Sequence, residues 1–178
     1  MSKTNDFIWN AIQVICWLIF AGLCVQSGAL IFNYIYSLFK PIATHNLHLG
    51  LDLSELYKQS QWLYTCVFSL IVTISIIKSI VFFYVLRLFK VIKVTQPFTT
   101  EVSALISKIS YHAFSIGVVA YVADRFVNNL MHKNYNVGDV GRYWDDMGAY
   151  LMMSAILFVI ALIFKKGIEL QNESDLTV

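Results

Sequence analysis

Residues 147–166 read MGAYLMMSAILFVIALIFKK. The run from Met147 to Phe164 carries no charge; Asp145 and Asp146 stand before it, Lys165 and Lys166 after it. Those 18 residues make roughly 27 Å of helix, close to the ~30 Å hydrocarbon core of a bilayer. Charge at both ends and none between is the pattern of a segment that crosses a membrane and stops at each surface.

The rest of the chain supports the same reading. Of 178 residues, 58% are hydrophobic and only 13% charged, against about half and about a quarter in soluble domains. A soluble bundle with so few charges has too little polar surface to cover itself. The net charge of +2 is too small to imply a direct nucleic-acid partner. Cys16, Cys24 and Cys66 all lie in apolar runs without a CxxC pair, so they are expected as small helix-core residues rather than a disulfide or redox set. The N-terminal apolar stretch runs far past a signal-peptide core.

Three further spans precede the one quoted, giving spans of about 7–39, 62–86, 102–123 and 147–164 in a single membrane domain, 1–178. The first is too long for a bilayer, so it must tilt or project; Gln26, Ser27 and Gly28 mark where it bends or meets a neighbour, and Pro41 ends it. In the second, Trp62 and Tyr64 are placed as an interfacial belt. Thr65, Ser69, Thr73 and Ser75 suit close helix approach. Pro97-Phe98-Thr99-Thr100-Glu101 punctuates the inner loop, 87–101: proline breaks the chain, threonine caps the next helix and Glu101 complements its dipole.

The outer loops are 41–60 and 132–145. Leu47, Leu49, Leu51 and Leu53 alternate with polar residues, which predicts a short strand, and Ser54-Glu55 reads as a helix N-cap. Asn134 to Gly138 alternates more weakly and predicts a partner strand. The expected fold is therefore an all-α integral membrane protein, a four-transmembrane-helix bundle with a small two-stranded extracytoplasmic β element. Four spans put both termini on one side. Lys3, Arg87, Lys90, Lys93, Lys108, Lys165 and Lys166 lie there, against Lys40, Lys58, Arg125, Lys133 and Arg142 opposite, so the termini and the tail, 165–178, are expected in the cytoplasm.

Lys78 is the one charge well inside a span. Counting helix turns from the inner ends brings Gln13, Ser110 and His112 to a similar depth, which predicts an intramembrane polar cluster. Without an intramembrane acid to pair with, Lys78 has a plainer reading, that it snorkels to the headgroups. Asp124-Arg125 reads as a local interfacial ion pair. His45, His48 and Asp52 have the spacing of a weak metal site, but a strand would turn His48 away from His45, so no metal and no cofactor is expected. A serine–histidine pair from Ser115 or Ser154 with His112 is the single catalytic thought available. Serines in such helices are ordinary packing residues, no catalytic motif occurs, and no enzyme is expected.

The tail after Lys166 reads GIELQNESDLTV. With an apolar span before it, and with the Pro97-Phe98-Thr99 approach to the third span, it resembles the uncharacterised bacterial membrane family catalogued as domain of unknown function 2975 (YoaS-like). The resemblance implies a four-helix protein of the bacterial inner membrane, without assigned activity. It also implies a setting beside small helix-turn-helix regulators of the Xre type, and no site residues to carry over. The residues themselves leave two readings of the tail. Glu173, Asp175, Leu176 and Val178 fold back onto Arg87, Lys90 and Lys93, or they form a free anionic peptide for a cytosolic partner. The preferred function is a non-enzymatic sensor or regulatory partner of such a regulator. Its rivals are a small transporter, channel or peptide-immunity factor using the polar cluster, and a purely structural helix bundle; homo-oligomers fit any of these.

Overall fold

The apolar stretches fold as helices far longer than the uncharged runs within them. A computed structural model describes residues 3–92 and 97–175. They form α1 (Lys3–Phe39), α2 (Ser54–Gln59), α3 (Gln61–Val91), α4 (Thr100–His132) and α5 (Met147–Asp175). Four of these, all but α2, are long and apolar enough to cross a membrane. They pack in chain order: α1 on α3, α3 on α4, α4 on α5. The start of α1 and the end of α5 lie at one end of this array and the two long loops at the other.

No strand occurs among the described residues, which corrects the expected β element. Leu49 (φ 58) and Gly50 (φ 72) both take the left-handed conformation, so the backbone doubles back and the Leu47 N–H donates to the Leu51 carbonyl at 2.9 Å. Leu47, Leu51 and Leu53 are buried and Leu49 is exposed. The alternation thus marks a tight turn with three leucines inside, a pattern that a strand also produces. α2 begins at Ser54, so the N-cap position is Leu53 and not Ser54; the Asp52 carboxylate accepts from the Ser54 N–H at 2.9 Å.

The two loops nevertheless meet. Asn136 Nδ2 donates to Glu55 at 2.6 Å, Arg142 donates to the Leu49 carbonyl at 3.0 Å, and the Tyr143 hydroxyl donates to the His48 carbonyl at 3.0 Å. Gly138 takes φ 58, and a Cβ there would stand 2.5 Å from the Asp52 carbonyl oxygen. Only glycine allows both the turn and the contact.

The main core sits at this loop end, where Leu30, Leu51, Leu56, Phe68, Val137 and Trp144 are buried together. Tyr64 belongs to it: fully buried, it bonds Ser37 at 2.6 Å and stacks on Tyr34. It is a core residue and not part of an interfacial belt, whereas Trp62 is exposed. Of the small polar residues of α3, Ser75 and Ser79 contact α1, with Ser27 Oγ at 3.0 and 3.1 Å; Ser69 and Thr73 are exposed. None of the cysteines is a core residue, since Cys24 is exposed and Cys16 and Cys66 are half-buried. Asp124 and Arg125 do not pair with each other. Neighbours on a helix diverge by about 100°; Asp124 accepts from Asn128 and Arg125 lies over the Tyr121 ring.

Candidate functional site

The contacts of Lys78 mark how the helices are registered. Its ammonium reaches both carboxylate oxygens of Asp146, at 2.7 and 2.9 Å, and the Tyr143 carbonyl at 3.2 Å. It also lies 5.3 Å from the centroid of the Tyr150 ring. The Lys78 side chain is 14% exposed and that of Asp146 46%. Asp146 is the residue before α5, and its carbonyl accepts the Tyr150 N–H, so its carboxylate also complements the helix dipole. The start of α5 therefore lies level with the middle of α3. The loop-end halves of α1, α3 and α4 overhang it, and residues 133–146 fill the place that a longer fourth helix would take.

Lys78 thus has an acid after all, supplied by a residue that the sequence places at the end of a span. The expected cluster around it does not assemble. Ser110 faces α5 and donates to the Ser154 carbonyl at 2.9 Å. His112 stacks on Tyr84 with ring centroids 5.4 Å apart, and Gln13 is half-buried on α1. Ser115 and Ser154 each donate to a backbone carbonyl of their own helix, and neither bonds His112.

Beside the ion pair, α3 and α5 wall a groove of about 480 Å³ with Ile109 of α4 at its base. Its lining is apolar (Val81, Val85, Leu88, Met153 and Leu157 among others) except for Asp146 and Tyr150.

A second locus lies at the termini end. The Phe98 ring packs against Phe164, centroids 5.2 Å apart, and over Gly167, where an added Cβ would stand 2.7 Å from it. Thr99 caps α4 by accepting from the Val102 N–H, and Arg87 reaches Glu101 at 3.4 Å. Beyond Lys166, α5 continues as helix to Asp175, so the tail does not turn back within the described residues. Arg87 has Glu101, and Lys90 lies over the Trp17 ring. Lys93, Leu176 and Val178 and the side chain of Asp175 fall outside the described residues.

The loop end carries a polar pocket of about 300 Å³, lined by His45, Asp52, Glu55, Lys58 and Asn136. His45 Nδ1 lies 3.5 Å from Asp52, and Asp52 is held below the usual carboxylate range, first by the Ser54 side chain and then by its backbone N–H. His48 points elsewhere: its Nδ1 is buried without a partner, and burial, then Arg142, lower its pKa. No group of three metal-ligating side chains forms among the described residues.

The family model described as "Protein of unknown function (DUF2975)" matches residues 48–178, well over half of the chain. The chain belongs to the DUF2975 family. No curated protein and no solved structure matches it. The DUF2975 match takes in the loop-end turn, the Lys78–Asp146 pair and the whole of α3, α4 and α5, and leaves out α1. The two motifs that carried the resemblance, at Pro97-Phe98-Thr99 and Gly167-Ile168-Glu169, prove to be in contact through Phe98 and Gly167. Sequence reading found both motifs but not their contact, and it missed Asp146, whose only signal was an acid directly before an uncharged run.

Proposed function

We propose that this DUF2975 chain is a non-enzymatic membrane sensor or regulatory partner, placed in the bacterial inner membrane with both termini in the cytoplasm. Its loop-end cap receives the signal, and the end of α5 presents it to a small soluble helix-turn-helix regulator. One observation carries the reading. A single unbroken helix begins at the carboxylate that holds Lys78 and runs on to Asp175. A change at the cap that alters the Lys78–Asp146 pair acts directly on a stiff rod whose far end is exposed, Leu170 at 55%. The excess of lysine and arginine at the termini end supports the orientation. A transporter or channel would need polar lining along the span, and the groove between α3 and α5 is apolar over most of its length.

The test is a crosslinking pull-down from native membranes with the full chain and with a chain lacking residues 173–178. The full chain is expected to recover a soluble DNA-binding protein, and the shortened chain to lose it while remaining inserted and folded. Recovery of no soluble protein by the full chain contradicts the proposal.

A further inference from the structure

The groove between α3 and α5 has a length, a lining and a polar end that together specify an occupant. Its wall on the α5 side runs from Asp146 to Leu157, twelve residues whose eleven rises make roughly 16 Å of helix. Half of the ~30 Å hydrocarbon core is about 15 Å, so the groove is as long as one leaflet is deep. Its volume of about 480 Å³ falls in the range of sites for small ligands. Apart from Asp146 and Tyr150 the walls offer only apolar side chains, which suits an alkyl chain.

The polar end is more selective. An ammonium has three donors and no acceptor, and Lys78 directs its three bonds at Asp146 Oδ1, Asp146 Oδ2 and the Tyr143 carbonyl. It has none left for a phosphate. The Asp146 carboxylate has about four lone-pair sites, spends two on Lys78 and is 46% exposed where it lines the groove. With the three Lys78 donors spent, the mouth offers hydrogen-bond acceptors on Asp146 and no free ammonium donor. Because Asp146 directly precedes the uncharged stretch of α5, it stands where that helix enters the hydrocarbon.

We infer that this groove is a binding site for one phospholipid of the loop-side leaflet with a primary-ammonium headgroup, of the ethanolamine class. Its N–H groups bond Asp146, and one acyl chain lies along Ala149, Met153 and Leu157. The inference stands independently of whether α5 reports to a soluble partner.

The experiment is native mass spectrometry of the delipidated full chain, titrated with phosphatidylethanolamine, phosphatidylcholine or phosphatidylglycerol. The wild-type chain is expected to bind one phosphatidylethanolamine about tenfold more tightly than phosphatidylcholine, which keeps the charge but has no N–H to donate. Asp146→Asn frees Lys78 and is expected to turn the preference toward phosphatidylglycerol. Ala149→Trp fills the groove and is expected to abolish the tight site for every headgroup; Ala149→Leu, a milder filling, is expected to weaken it if the tryptophan variant fails to fold. Equal binding of the three headgroups overturns the inference. So does a tight site that survives both Ala149 variants, or a wild-type dimer dispersed by them with no lipid bound.

Discussion

Lys78 and Asp146 belong to the residues whose loss the fold feels most. Removing one partner of a buried pair costs about 3–5 kcal/mol. Asp146 is nearly half exposed, and solvent screening brings the expected loss for Lys78→Met or Asp146→Asn to about 1–3 kcal/mol. The double variant Lys78→Met/Asp146→Asn leaves no unpaired charge and is expected to recover part of it. Denaturation of the purified protein in mixed micelles measures all three, and additive losses in the double variant would mean that the two groups do not interact. Gly138→Ala is the second sharp case. A left-handed backbone and a Cβ 2.5 Å from the Asp52 oxygen make the substitution cost about 1–3 kcal/mol. The loss is local, so protease sensitivity should rise in the loops before the helices respond.

Among the elements, the loop-end cap holds two groups, His48 and Asp52, through which pH acts on stability. His48 has a folded pKa below its ordinary value because it is buried and faces Arg142. A depressed pKa contributes stability that is complete above the unfolded value, about 6.5, and is lost as pH falls from there through the folded value. Asp52, also depressed, follows the same sign but only below about pH 3.9. Amide protection factors over residues 41–60, each corrected for the intrinsic exchange rate at its pH, should therefore fall between pH 7.5 and 5.5, and His48→Gln should flatten that response. At the other end, Gly167→Ala drives a methyl into the Phe98 ring, an overpacking worth about 1–3 kcal/mol. Amide exchange at the start of α4 should rise while the cap stays unchanged. How much of these elements could be read in advance depended on the period of the pattern. The long apolar runs admit only helix. The Leu47–Leu53 alternation admits strand or turn equally, and the backbone of Leu49 and Gly50, invisible in composition, decides for the turn.

At the scale of the molecule the excess length of α1 is taken up in packing at the loop end. Its far half joins α3, α4 and both loops in the main core, and α5 starts well short of the others. The sequence gives each span a length but not its offset from the next, which is why counting turns gathered Lys78 with Gln13, Ser110 and His112 and left out Asp146. The offset arises from tertiary packing of residues 133–146. It sets the start of α5 beside Lys78, while the far end of the helix carries the exposed Leu170. The proposed function requires these two ends to be coupled. It is tested most directly by a photocrosslinking residue at position 170, in native membranes, in the wild-type chain and in Lys78→Met. The expected result is a soluble DNA-binding protein crosslinked in the wild type, with a yield changed severalfold by the substitution while the chain stays inserted. The same yield in both chains, or no soluble protein in either, would contradict it.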